Sequence, residues 1–481
     1  MNIVEMLVFV AYFLFMLGIG VYFFLKSKDA GEKDYFLGGR NMGAWVSALS
    51  AGASDMSAWV LMGLPASIYA FGIGQTWIAI GLGIGYALSW IFVAPRLRRF
   101  SIAAKDSITI PQYLTNRFLS GKKSLQVLCA GIFLVAYTVY AASSIKACGT
   151  LFNTVMNIDA TVAMYLAAFI IIAYTFLGGF SAVCWTDFFQ GLIMLAALLL
   201  APIFALVLVG KGEGAVGAQL PDGFFHFFTS PQDIISGLGW GLGYFGMPHI
   251  IIRFMSIKSE KELRKSSVIG ITWTTIILLM SALTAVAGRL YLGEIADSST
   301  VFITMVRRIF PALVSGLLLS AILSAAMSTA DSQLLAASSA FASDVYKPLL
   351  RKNASNREML WASRIVVAGI AIVALIIASN PNSGTIMGLV ENAWGVFGAA
   401  FGPVILLSLY WKKLTFGGTV AGIAAGAGVD VLWLLLAGST GIYEIVPGFL
   451  AGLLAAVLVS LLSKGPGAEV EALFDRAAQP E

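Results

Sequence analysis

Ser47-Ala48-Leu49-Ser50-Ala51-Gly52-Ala53-Ser54-Asp55-Met56-Ser57-Ala58-Trp59, with Gly63 and Pro65 close behind, lies inside an apolar stretch running from 44 to 71. A continuous helix suits it poorly. Glycine lowers helix propensity by about 1 kcal/mol and proline by about 3. Serine offers the backbone other hydrogen-bond partners. A carboxylate in the middle of an apolar span is costly and marks function. The expectation is a span that breaks near Asp55. Unwound backbone at membrane depth persists only where protein or a water-filled cavity satisfies it. A second stretch, 231–254, carries Gly237, Gly239, Gly241, Gly243, Gly246 and Pro248 and reads the same way. Close helix packing on small residues is the better reading of Gly81, Gly83 and Gly85, which have no acid beside them. Gly241 to Gly246 also fits GxGxxG, but no strand precedes it, so a dinucleotide site is set aside.

Composition places both stretches in a bilayer. Of 481 residues, 59% are hydrophobic and 11% charged. The mean hydropathy is +0.87. A soluble domain carries about 25% charged residues, so this chain lacks the polar surface to cover a soluble globule. The net charge of +5 gives no reason to invoke nucleic acid. Cys129, Cys148 and Cys184 are isolated in apolar surroundings and read as buried thiols. His226 and His249 are too far apart for a local metal motif, and no phosphate-binding GxxxxGK[ST] loop occurs.

Thirteen apolar spans are legible, near 3–25, 44–71, 74–95, 124–152, 159–178, 187–210, 231–254, 266–288, 312–343, 359–379, 384–410, 417–438 and 443–463. Each is long enough, at about 20 residues per pass, for an all-α membrane protein. Assigning loops alternately to two sides collects 25 basic residues, Arg253 and Lys28 among them, on one side and four on the other. That asymmetry predicts an outside N-terminus and a cytoplasmic C-terminus. The expected setting is the bacterial cytoplasmic (inner) membrane. The basic residues Lys26 and Lys28 follow the first span, which argues against a cleaved signal peptide. No polar stretch is long enough for a soluble domain, and 464–481 reads as a short polar cytoplasmic tail.

The two interrupted spans open matching runs of five, 44–210 and 231–410. An odd count starts the second run from the opposite side, the arithmetic of an inverted 5+5 repeat whose paired interruptions point to a central site. One leading helix (3–25) and two accessory helices (417–463) complete a single membrane domain. On the 312–343 span Ser320, Ser324, Ser328 and Ser332 recur every four residues and draw one polar face, with Thr329 and Asp331 adjoining. Back-bonding of each hydroxyl to the preceding turn is the plainer reading for any single serine. Freed carbonyls and hydroxyls together suit a hard monovalent cation, which prefers oxygen ligands.

Several stretches carry a resemblance. Tyr35-Phe36-Leu37-Gly38-Gly39-Arg40, Ala51 to Ser57, Gly178-Gly179-Phe180 with Trp185-Thr186-Asp187, Met327-Ser328-Thr329 with Ser332 to Leu335, and Phe397 to Pro403 resemble the sodium:solute symporters over about 35–413. Within that family the likeness is nearest to bacterial members that carry L-proline. It implies a LeuT-type core, Na⁺ as coupling ion, no other cofactor, no enzymatic step and no obligate protein partner. A sodium site would take backbone of Ala53, Met56 and Ala325 and hydroxyls of Ser328 and Thr329. Asp55, Asp187 and Ser332 would support that site or a second cation path. Ser57, Trp59, Tyr140, Trp240, Tyr244 and Pro248 match positions near the substrate pocket. Another small amino acid or a carboxylate is the alternative solute. Lys146, Glu391 and Asp430 depart from the pattern. Lys146 is expected to pair with an acid such as Asp187 or Asp331, to meet a substrate carboxylate, or to replace a cation.

Overall fold

The computed structural model describes residues 2–26, 31–175, 179–214 and 220–479. Lys28 and Gly178 lie outside the described residues. Among those described there is no strand, only an isolated bridge between Met42 and Ile257. Among the described residues ten helices are long and apolar enough to cross a membrane: Ile3–Lys26, Ile73–Ala103, Ser124–Met156, Phe180–Gly210, Glu260–Leu292, Ala312–Leu350, Asn356–Ser379, Ile386–Tyr410, Phe416–Leu436 and Ile445–Leu462. The other three expected spans are short or divided. One is Ala160–Thr175. The first glycine- and serine-rich span is Ala44–Asp55 followed by Gly63–Phe71. The second is Pro231–Gly239, a 3₁₀ stretch Trp240–Phe245, then Pro248–Ser256.

Local chemistry sets the ends. Ser230 and Asp233 form a reciprocal capping box with Pro231 at the first helical position, satisfying amides that the helix start leaves free. Ser259, Ser355, Thr385 and Thr415 each accept a backbone N–H of the helix they open. Proline is the natural first residue of Pro248–Ser256, because its missing N–H would have no partner there.

Glycine sets how closely the interior helices approach. A Cβ on Gly81 would lie 2.2 Å from the Gly237 carbonyl oxygen, and one on Gly85 the same distance from that of Gly241. The packing reading holds for Gly81 and Gly85. It also holds for glycines of the second interrupted span, which combine unwinding with close contact. The first interrupted helix is buried along its length apart from Trp45.

The tail differs from expectation. Residues Ala468–Ala478 form a helix that buries Val470, Leu473, Phe474 and Ala477. Phe474 meets Phe100 edge-on at 5.2 Å, Arg117 lies 5.0 Å over the Phe474 ring, and Lys412 reaches Asp475 at 2.7 Å. Its apolar residues recur every three or four positions, the spacing of one helix face. The preceding polar stretch masks that signal.

Candidate functional site

The first break is compact. Ala44–Asp55 ends with the Met56 N–H bonded to the Gly52 carbonyl, and Met56 leaves helical geometry at φ −77°, ψ 73°. Ser57 is extended and caps the short turn Ala58–Val60, accepting from the Trp59 N–H at 3.5 Å. The Trp59 indole donates back to the Asp55 carbonyl at 3.3 Å. Serine and tryptophan thereby satisfy part of the backbone that unwinding frees.

The serine face of Ala312–Ala340 divides into two behaviours. Ser320 bonds back to the Gly316 carbonyl at 2.9 Å, as the plainer reading expects. Ser328 crosses instead to the broken helix, donating to the Ala53 carbonyl at 2.7 Å, with the Ala325 carbonyl at 3.2 Å. Thr329 is fully buried and its hydroxyl has no hydrogen-bond partner. A buried polar atom without a partner costs about 1–3 kcal/mol, so its retention here needs a reason. Three of the five oxygens expected at a cation site, from Ala53, Ala325 and Ser328, are thus in direct contact.

The two interrupted spans meet at this level. The Tyr244 hydroxyl donates to Asp55 Oδ2, while Asp55 Oδ1 is buried without a partner. His249 Nε2 stands 3.2 Å from the Ser54 carbonyl oxygen, and the Tyr137 hydroxyl accepts the His249 backbone N–H at 3.0 Å. Pro248, one residue earlier, is buried at the start of its helix. Aromatic rings pack about the preceding 3₁₀ stretch. Tyr244 lies 5.1 Å from both Tyr86 and Trp394, and Trp240 stacks on Tyr443 at 5.0 Å. Tyr140 is buried with its hydroxyl unsatisfied and its ring 6.4 Å from His249.

A charged network lies one turn away. The Arg253 guanidinium donates to Ser50 Oγ at 2.7 Å, Asp187 Oδ2 at 2.9 Å and Ser332 Oγ at 2.5 Å, and also reaches the His249 carbonyl. Ser50 donates to the same Asp187 oxygen at 2.6 Å, and Ser332 to Asp331 Oδ1 at 3.3 Å. Arg253 is 1% exposed and Asp187 fully buried. This corrects the loop assignment of Arg253 in the charge count; its removal leaves the asymmetry intact. A signal for it exists in the sequence. Asp187 is an acid within an apolar run, and Arg253 is a base within another. His249 belongs to no metal motif, and its signal in the sequence is its place directly after Pro248 at the second break.

Lys146 goes elsewhere. Its ammonium donates to Ser383 Oγ at 3.2 Å and to the Gly384 carbonyl, and no ion pair joins it to Asp187 or Asp331 among the described residues. It lines a cleft of about 500 Å³ with Met62, Gly63, Thr150, Asp297 and Met387. Gly63 lies against both Trp59 and Met387, so one edge of this cleft adjoins Trp59.

Two broken helices sharing one polar seam, faced by a hydroxyl-bearing helix, define a helical secondary transporter. Solved structures agree on the fold. A Na⁺-coupled sialic acid symporter in its substrate-bound outward-open state matches with a TM-score of 0.80 at 22% identity, over 96% of this chain and 99% of that one. Mhp1, a nucleobase-cation-symport-1 family transporter in a closed conformation, matches with 0.58 at 15% identity, over 92% and 97%. Residues 35–426 match the Sodium:solute symporter family. The high-affinity proline transporter PutP of Bacillus subtilis is 43% identical over 470 residues, covering 96% of this chain and 98% of the relative. The osmoregulated proline transporter OpuE of the same organism is also 43% identical, over 96% of each chain. A sodium/proline symporter of Staphylococcus aureus is 42% identical, over 96% and 93%. This chain belongs to the sodium:solute symporter family.

Proposed function

We propose that this chain imports L-proline together with Na⁺ across a bacterial cytoplasmic membrane by alternating access. The observation that carries the reading is the Ser328 hydroxyl bonded across the helix break to the Ala53 carbonyl at 2.7 Å. Sodium would sit among the carbonyls of Ala53, Met56 and Ala325 and the hydroxyls of Ser328 and Thr329. In that position it would satisfy Thr329 and take over the acceptors that Ser328 now occupies. Neutral oxygens hold a monovalent ion modestly, which lets it leave on the other side. Asp55 lies one residue before Met56 and two after Ala53, where it supports the site and its carboxyl accepts the Tyr244 hydroxyl.

Proline is a small zwitterion with an apolar ring. Trp59, Tyr140, Trp240 and Tyr244 offer aromatic walls, Ser57 a hydroxyl, and Pro248 the start of a helix whose dipole favours a carboxylate. The names and extent of the relatives support this solute. Sodium bound at the break would draw the Ala44–Asp55 and Ala312–Ala340 helices together and complete the pocket. Asp187 and Ser332, clasped by Arg253, would form a release path below it, where Arg253 holds the acid against escape of the cation. Asp331 joins that path through Ser332. The proposed frame is thirteen spans with an inverted repeat over 44–210 and 231–410, a leading helix, two accessory helices, an outside N-terminus and a cytoplasmic C-terminus. Breaks at the first span of each run support the repeat.

The driving force is adequate. One charge crossing 100 mV supplies about 2.3 kcal/mol, and a tenfold sodium gradient adds about 1.4 kcal/mol. Together these sustain roughly 500-fold accumulation per coupled ion. Uptake into proteoliposomes tests the reading. Labelled proline should accumulate with an inward Na⁺ gradient and fail to accumulate with K⁺ in its place. Sodium-driven uptake of another solute that proline does not inhibit would reject the substrate; uptake indifferent to Na⁺ would reject symport.

A further inference from the structure

Asp430, Glu444 and Glu391 are acids that the transport reading does not use. Asp430 lies on Phe416–Leu436, Glu391 on Ile386–Tyr410, and Glu444 immediately before Ile445–Leu462. These three helices pack on one another, and Asp430 and Glu444 converge at Gly395. A Cβ there would lie 2.8 Å from Asp430 Oδ1 and 3.3 Å from Glu444 Cγ. Glycine at 395 is what leaves room for both carboxyl groups. Asp430 is 1% exposed and neither of its carboxyl oxygens has a hydrogen-bond partner; Glu444 is 6% exposed, and its Oε1 has none. Among the described residues no lysine, arginine or histidine forms an ion pair with Asp430, Glu444 or Glu391. The other titratable group facing them is Tyr443, whose hydroxyl is committed to the Glu391 carbonyl at 2.8 Å.

Two buried carboxylates this close cannot both carry charge without a counter-ion. A metal ion needs several oxygen ligands, and no group of three or more acidic, histidine or cysteine side chains among the described residues is placed to hold one. A proton needs only the two. We propose that Asp430 and Glu444 form a proton-binding pair that retains one proton at neutral pH. The pair lies outside the sodium seam, behind Trp394, the residue preceding Gly395. Trp394 donates to the Trp240 carbonyl at 2.8 Å, so the proton site backs directly onto the aromatic pocket. This inference does not depend on which solute is carried.

Infrared difference spectroscopy of the full chain in liposomes tests it. The wild type at pH 7 should show a protonated-carboxyl C=O component that is lost in an Asp430→Asn/Glu444→Gln double variant. The component should fade as the pH is raised and persist at saturating NaCl. Glu444→Gln alone provides a second variant if the double one does not fold. Removing the neighbouring acid makes Asp430 easier to ionise, so the component should fade at a lower pH than in the wild type. Identical wild-type and variant spectra across the pH range would overturn the proposal. So would removal of the component by sodium, which would make the pair a sodium site instead.

Discussion

Ser328 and Ser320 have the same side chain on the same helix face, yet only Ser328 leaves its own helix for a partner. The difference lies in what stands opposite, a helix that has ended and left its Ala53 carbonyl available. Spacing reveals the serine face but not which member finds a broken helix across from it, because that depends on how the chain packs. The Asp187–Arg253 pair shows the same limit. Each residue is conspicuous in an apolar run, but their meeting is a tertiary fact. Asp187→Asn leaves the guanidinium buried beside an amide, and losing one partner of a buried pair costs about 3–5 kcal/mol. Thermal unfolding followed by intrinsic fluorescence should show a large drop in midpoint. Ser332→Ala removes an acceptor of the same guanidinium and the longer bond to Asp331, and should cost about 1–2 kcal/mol. A midpoint for Asp187→Asn equal to that of Ser332→Ala would mean the pair does not hold this seam together.

The interrupted helices were legible as elements because their composition opposes a continuous helix, and they do break, at 56–57 and 246–247. Less legible was that the second span's glycines also form a contact surface. Gly85→Ala should push the Thr76–Leu88 helix off the Trp240–Phe245 turn, since its Cβ would meet a backbone oxygen at 2.2 Å. Overpacking of this kind costs about 1–3 kcal/mol or more. Gly83→Ala, whose nearest neighbour would be a leucine methyl at 3.8 Å, should be neutral or gain up to about 1 kcal/mol in helix propensity. Comparing the two melting curves separates packing from propensity. The loop ahead of the first interrupted helix is anchored by charge. Arg40 donates to Asp106 at 2.8 Å and to the Met255 carbonyl at 2.6 Å, and Lys33 pairs with the same acid. Burial raises the Asp106 carboxyl, but Lys33 and Arg40 outweigh it and hold it below its usual value. A depressed carboxyl contributes stability above its unfolded pKa, near 4, and loses it as the pH falls through its folded one. Asp106→Asn should therefore unfold with a flatter acid limb than the wild type.

For the whole molecule, hydropathy and loop charge described a polytopic helical protein without reference to contacts, because lipid imposes its constraint on every span separately. The tail helix escaped that reading, since its docking depends on Phe100, Arg117 and Lys412 far away in sequence. The proposed sodium site is likewise a product of assembly: Ala53 and Ser328 meet only once some 270 intervening residues have folded. A site made of parts that distant should stabilise the whole fold when filled. A ligand at 100 times its dissociation constant adds about 2.7 kcal/mol. The most direct measurement is therefore the melting temperature of the purified chain as NaCl replaces KCl at constant ionic strength. The wild type should gain stability with sodium alone. Ser328→Ala should need about tenfold more sodium for the same gain, equivalent to about 1.4 kcal/mol. Equal stabilisation by both salts, or an undiminished sodium response in Ser328→Ala and Thr329→Val, would contradict a sodium site at the helix break.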